Sequence, residues 1–535
     1  MRDIASVALV GPEKQNTLSL RPRAQIVDSQ PQTRIMHRRD FVSAASVGVA
    51  GHALFPHAAA AMGGETVALH SCGEPAGARS DTRFPSTFWW GAAAAAYQLE
   101  GGASADGRTP SIWDTFSHTP GKVKNGDTGD VACDHYHRYK EDVRLMADLG
   151  VKHYRFSISW SRVVPAGRGA VNEKGIDFYQ RLVDELLAHG ITPHATLYHW
   201  DLPQALQDKY RGWESREVVN DFADYAAVAA KRLGDRITHW MTLNEILTFA
   251  MVGYGVGATA PHAPGLALGR PKDRWQVVHH ALLAHGRGCQ AIRANSPRHC
   301  RVAIAENFSP FVPVIETPEH IEATRLAFTR TEANGAIITP LLTGKYDPFW
   351  LAQQGAEAPD IRPGDMETIH QKLDGLGFNC YTGTYVRAAA TPAGFETLPM
   401  FDGYPRMALP WLTFLPESIY WGIRMVKEAL GRGDLPIYIT ENGCADSGPA
   451  DGAAQMQDID RVMYLRSYLR QVQRAVDEGF PVLGYFPWSI MDNFEWAEGY
   501  TKTFGLVHVD FATQKRTPKL SYDWYRDVIR RRMVL

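Results

Sequence analysis

From Phe84 to Leu535 two apolar periods alternate along the chain. Short runs of small, β-branched or aromatic residues fall at 88–94, 153–157, 192–197, 239–243, 302–305, 375–378, 437–440 and 482–486. Runs of this length bounded by turn residues are what strands buried on both faces of a parallel sheet require. Between them lie segments with helical spacing, at 136–149, 175–189, 215–233, 276–294, 419–430 and 461–478. Eight strands alternating with helices, with no linker, low-complexity stretch or solenoid period, predict an α/β fold. The specific expectation is a single (β/α)8 TIM barrel with long βα loops over 84–535.

Composition narrows the function classes. With 45% hydrophobic and 21% charged residues the chain is of globular type. Lys and Arg number 56 against 58 Asp and Glu, a net charge of −2, which supplies no electrostatic footprint for nucleic acid or an anionic membrane. Six cysteines without a CxxC pair imply neither a disulfide framework nor zinc. They are expected to be buried thiols with at most a bridge or two. Fourteen Trp, 21 Tyr and 22 Phe are enough for flat stacking surfaces as well as a large core.

The first 83 residues read differently. Residues 1–35 are polar and aperiodic, an extension expected to be untranslated or disordered, with Met36 as the expected start. Arg38-Arg39 then precedes a mildly apolar Ala/Val/Gly run ending in Ala58-Ala59-Ala60-Ala61. That pattern resembles a twin-arginine export signal over 36–62, followed by a linker at 63–83. It implies a periplasmic or secreted protein; the alternative is a cytoplasmic one with a fortuitous Arg pair.

In a (β/α)8 barrel the chemistry sits at the C-terminal ends of the strands, and here those ends are loaded. The first leads to Gln98 and Glu100, the second to Trp160 and Arg162, and the third to His199, Trp200 and Asp201. The fourth gives Asn244-Glu245, the fifth Glu306-Asn307, the sixth Asn379 and Tyr381, and the seventh Glu441-Asn442. The eighth is followed by Trp488, Asp492, Asn493, Glu495 and Trp496. Amides and carboxylates bind hydroxyls, and indole faces pack on the apolar side of a sugar ring, so the pattern suits a neutral polyhydroxylated ligand. TLNE at 242–245 and TENG at 440–443 put one glutamate each on strands four and seven, which face each other across an eight-stranded barrel. Two carboxyl groups meeting there can hydrolyse a glycoside, one protonating the leaving oxygen while the other attacks the anomeric carbon.

Seven motifs in order give this reading a family. FPSTFWWGAAAAAYQLEGG (84–102), SIWDTF (111–116), YRFSISWSR (154–162), TLYHWDLP (196–203), TLNE, ITENG (439–443) and WSIMDNFEWAEGY (488–500) resemble the retaining β-glucosidases of glycoside hydrolase family 1. The resemblance implies Glu245 as catalytic acid/base and Glu441 as nucleophile, with Arg155 and Tyr381 holding the nucleophile. It implies glycone binding by Gln98, His199, Asn244 and Glu495, against an indole platform of Trp488 and Trp496. Trp200 is placed with the substrate-binding residues, core packing being its other reading. An acid at Glu495 implies a non-phosphorylated sugar, since a carboxylate would repel a phosphate dianion.

Cys380, Thr503 and the loop 258–261 depart from the family pattern at the pocket mouth, and Trp411 and the segment 308–313 are read as aglycone contacts. The expected activity is therefore that of a retaining β-glucosidase acting on small β-glycosides, with no cofactor or metal. A related β-galactosidase or β-fucosidase, a transglycosylase, and a non-catalytic sugar-binding protein on the same scaffold are the alternatives.

Overall fold

The computed structural model describes residues 83–256, 261–446 and 454–535. The extension and export signal read at 1–62, the linker read at 63–83 except Arg83, the loop read at 258–261 except Pro261, and Cys72 lie outside the described residues. Eight strands close a barrel: β1 (Trp89–Ala93), β2 (His153–Ser157), β3 (Thr192–Tyr198), β4 (His239–Asn244), β5 (Arg301–Glu306), β6 (Leu376–Asn379), β7 (Ile437–Asn442) and β8 (Val482–Pro487). They pair in chain order, all parallel, and β8 returns to β1 through Trp89↔Gly484 and Trp90↔Tyr485. The eight apolar runs read from the sequence are these eight strands, displaced by a residue or two at their ends.

Each strand is followed along the chain by a helix: α1 (His135–Leu149), α2 (Glu173–Ala188), α3 (Glu217–Leu233), α4 (Pro271–Asn295), α5 (Pro318–Arg330), α6 (Glu417–Glu428), α7 (Ile459–Asp477) and α8 (Leu520–Arg531). Helix α2 illustrates the cause: Ile176, Tyr179, Leu182, Val183 and Leu186 recur three and four residues apart and are buried as one stripe. The sequence reading missed α5 and α8 because their stripes are weakly apolar. In α5 only Ala323, Thr324, Ala327 and Phe328 are buried, and in α8 Ser521, Tyr522, Tyr525 and Val528. Also unanticipated were a three-stranded sheet of Phe311–Pro313, Thr384–Ala388 and Phe395–Leu398 and two short strand pairs.

The N-terminal end of the barrel is plugged. Trp89 stacks on Tyr438 (5.0 Å between ring centroids) and on His153 (4.8 Å), with His194 and His239 against its edge. Burial holds these imidazoles neutral, lowering His153 to about 3 and His239 to about 4. Cys133, Cys289, Cys300, Cys380 and Cys444 are free, buried thiols. No helix among the described residues is long and apolar enough to cross a membrane.

Candidate active site

The strand ends depart from regular pairing where the chemistry is expected. On β4 the register to β5 slips between Met241↔Ala303 and Asn244↔Ala305. On β7 it slips against β6 between Ile439↔Phe378 and Glu441↔Asn379. Such irregularities twist a strand and re-aim its side chains. The left-handed backbone does the same at Glu245 (φ 51°), Trp200 (φ 74°) and Trp496 (φ 48°), at a cost of roughly 1–2 kcal/mol each for a residue with a Cβ. Gly443 has a different reason for being glycine: a Cβ there would lie 1.9 Å from the Trp488 carbonyl oxygen, so the ends of β7 and β8 meet only without a side chain.

These ends surround a cavity of about 490 Å³ above the barrel. Of the residues read from the sequence, His199, Trp200, Glu245, Tyr381, Glu441, Trp488, Glu495 and Trp496 line it, and Trp411 forms part of its rim. Gln98, Arg155 and Asn244 lie just beneath, fully buried and bonded to the lining residues.

Glu441 is held from both sides. Arg155 Nη1 donates to its Oε1 at 2.5 Å, and the Tyr381 hydroxyl donates to its Oε2 at 2.8 Å. Glu245 has no cation among the described residues; the Asn379 amide donates to its Oε1 at 2.8 Å. The second N–H of that amide goes to Asn244 Oδ1 at 3.0 Å. The orientation of the amide is set, because Thr440 Oγ1 donates to Asn379 Oδ1 at 2.7 Å. Glu245 and Glu441 both line the cavity, so the two carboxyl groups face the same bound ligand.

Burial raises the pKa of both carboxyl groups, but the two environments separate them. Glu245 is pushed up to about 8 by burial and then by the charge of Glu441. For Glu441 the guanidinium and the phenol oppose burial. Of the pair, Glu441 therefore ionises first and Glu245 keeps its proton near neutrality. Tyr381, half-buried beside both acids, has its pKa raised well above the usual value and remains a donor.

Asn244 links the carboxyl pair to the rest of the floor. Its Oδ1 accepts from Arg155 Nη2 at 2.6 Å and from Asn379 Nδ2 at 3.0 Å, so its Nδ2 faces His199 Nε2 at 3.2 Å. Since that amide nitrogen donates, Nε2 accepts and the imidazole proton sits on Nδ1. Burial and Arg155 keep the ring neutral. His199 Nδ1 and Gln98 Oε1 are buried without a protein partner, a donor and an acceptor left for hydroxyl groups. Gln98 Nε2 is anchored on the Phe494 carbonyl at 2.8 Å and lies 3.4 Å from Glu495 Oε2. Burial raises Glu495 to about 8. The walls are aromatic: His199 stacks on Trp488, and Trp200 packs on Trp496 at 4.5 Å. Trp200 is thus a wall residue, tied down by its indole N–H to the Asn244 carbonyl at 3.0 Å.

Other loaded strand ends serve the core instead. Arg162 pairs with Glu100, and Asp492 with Lys519, all buried; Trp160 stacks on Tyr225 away from the cavity. The segment 308–313 also fails as an aglycone contact: Phe308 is buried on Phe378 at 4.0 Å, and Phe311–Pro313 is a strand paired with Thr384–Val386. Only its neighbour Asn307 reaches the cavity. Sequence reasoning gave no role to Asn379, although it stands two residues before Tyr381, nor to His262, Thr248 and Leu409, which line the outer half.

A sequence model described as "Glycosyl hydrolase family 1" matches residues 80–534. Beta-glucosidase A of Thermotoga maritima is 44% identical over 452 residues, 84% of this chain and 98% of that protein. A 1,4-beta-D-glucan glucohydrolase of Thermotoga neapolitana is 44% identical over 453 residues, again 84% of this chain and 98% of its own length. The solved structure of the Thermotoga maritima beta-glucosidase in complex with deoxynojirimycin superposes with a TM-score of 0.76 at 42% identity, covering 85% of this chain and 100% of that one.

Proposed function

The chain belongs to glycosyl hydrolase family 1, and from that membership and the site geometry we infer that it is a retaining β-glucosidase that removes terminal non-reducing β-D-glucosyl residues from small glycosides. The observation that carries this reading is the asymmetric carboxyl pair: Glu441 bonded to Arg155 and Tyr381, and Glu245 bonded to the Asn379 amide with no cation among the described residues.

The roles follow from that asymmetry. Ionised Glu441 attacks the anomeric carbon while protonated Glu245 gives its proton to the glycosidic oxygen, so the aglycone leaves as a neutral alcohol and a glucosyl ester remains on Glu441. Esterification removes the charge that had helped to raise Glu245. Its pKa falls, and as a carboxylate it takes a proton from the water that attacks the ester. Gln98, His199, Asn244 and Glu495 bind the glycone hydroxyls, with Trp488 and Trp496 as platform.

The test is release of p-nitrophenol from the β-glucoside by wild type and by Glu441→Gly, with and without azide. Turnover by wild type and azide rescue of the variant to the α-glucosyl azide are expected. A wild type that binds glucose but is inert on β-glucoside, β-galactoside and β-fucoside would leave only the sugar-binding reading.

Two finer points belong to the same proposal. The natural substrates include cello-oligosaccharides, a reading supported by the relative named for 1,4-β-D-glucan. The protein is exported through its Arg38-Arg39 pair; replacement of both by lysine should hold the precursor inside the cell, and unchanged export would refute it.

A further inference from the structure

Glu306 is buried at the end of β5, does not line the active-site cavity, has no role in the reaction above and has no ion pair among the described residues. Its two carboxyl oxygens have separate partners. Oε2 accepts from the Ile246 backbone N–H at 2.9 Å and Oε1 from that of Leu247 at 3.2 Å. Its neighbours act on the same stretch: the Ala305 carbonyl accepts from the Glu245 N–H at 2.9 Å, and Asn307 Nδ2 donates to Thr248 Oγ1 at 2.6 Å. Three consecutive residues at the end of β5, Ala305, Glu306 and Asn307, thus grip four consecutive residues after β4. The first of those four is the acid/base, held in a left-handed conformation (φ 51°) that its own side chain does not favour. The last, Thr248, hydrogen-bonds the Glu245 carboxyl.

We propose that Glu306 is a positioning residue for the acid/base: its carboxyl group clamps the backbone of Ile246 and Leu247 and so fixes the turn from which Glu245 reaches the glycosidic oxygen. A glutamine cannot replace it, because one of its two ends is an NH2 that would confront a backbone N–H. Proton delivery falls steeply with misplacement of the donor. The nucleophile is held by Arg155 and Tyr381, neither of which touches Glu306, so attack on the anomeric carbon is left intact. This inference rests on the assignment of Glu245 as acid/base.

The experiment compares Glu306→Gln with wild type on two β-glucosides. Cellobiose needs its leaving oxygen protonated; the 2,4-dinitrophenyl glucoside does not. For Glu306→Gln, kcat/KM on cellobiose is expected to fall at least about tenfold and on the dinitrophenyl glucoside less than about threefold. Glu306→Asp, which keeps both acceptor oxygens on a shorter arm, should show the same split at smaller size, and it serves as the test if the glutamine variant does not fold. Equal losses on the two substrates, no loss on either, or failure of both variants to fold would overturn the proposal. A wild type inert on both substrates would instead overturn the underlying reading of the site.

Discussion

Replacing Tyr381 by phenylalanine isolates one hydrogen bond to the nucleophile. The phenol donates to Glu441 Oε2 at 2.8 Å, while Arg155 serves the other oxygen. The ring is kept by edge contacts to Trp411 and Phe504 at 6.0 and 6.1 Å, and the Tyr381 carbonyl is held by the hydroxyls of Tyr464 and Tyr468; Phe can retain all of these. What is lost is a hydrogen bond to an ionised acceptor, worth about 1.5–3 kcal/mol. The bond favours the anion of Glu441 over its acid, so its removal raises the Glu441 pKa. At 1.36 kcal/mol per unit, the rise is about 1–2 units. The assay is the pH dependence of kcat/KM on an aryl β-glucoside, whose acidic limb reports ionisation of the nucleophile in the free enzyme. That limb should move to higher pH by about 1–2 units, while the denaturation midpoint stays close to that of wild type. An unmoved acidic limb in a folded variant would refute the assignment of Tyr381 as a stabiliser of the Glu441 anion.

Wild-type kcat/KM on cellobiose should fall on the alkaline side as Glu245, raised to about 8, loses the proton it must donate, while on the dinitrophenyl glucoside, which needs no proton, that limb should be missing; a limb of equal size on both substrates would assign it elsewhere. Trp411, 54% exposed on the cavity rim, should contribute to aglycone rather than glycone binding. Trp411→Ala is expected to lower kcat/KM for aryl glucosides roughly two- to twelvefold, from a stacking loss of about 0.5–1.5 kcal/mol, and to leave inhibition by glucose unchanged. Gly443→Ala forces a methyl group against the Trp488 carbonyl and should cost about 1–3 kcal/mol in chemical denaturation, together with most of the activity, because the sugar platform must shift.

Glu245 and Glu441 illustrate how fold and chemistry are coupled. Each stands where a register slip ends a strand, and neither is a surface acid: their exposures are 6% and 3%. An unpaired buried carboxylate is costly. The site meets that cost unequally, with a guanidinium on one acid and a retained proton on the other, and this inequality is also what separates nucleophile from acid.

Much of this was legible in the sequence. The alternation of apolar runs with helical spacing specified eight strands and six of the eight helices, because a strand buried on both faces and an amphipathic helix each impose a period on their own residues. The motifs named Glu245, Glu441, Arg155, Tyr381, His199, Trp200, Trp488, Glu495 and Trp496, which the structure gathers in or beneath one cavity, because a barrel brings every strand end to one face. Contacts between residues far apart in the chain left no such mark. Asn379, Glu100, Glu306 and Asp492 look alike at a strand end in one dimension. In the fold, Asn379 donates to the Glu245 carboxyl, Glu100 and Asp492 close core ion pairs, and Glu306 grips the turn behind Glu245. Likewise Phe308 and Trp411 are both apolar loop residues, yet one packs on Phe378 and the other faces the cavity. Local sequence determines what an element is, since periodicity and turn chemistry act over a few residues. The partner of a buried polar group is chosen only when distant strands close the barrel, since its hydrogen bonds must be completed by whatever the fold brings within about 3 Å.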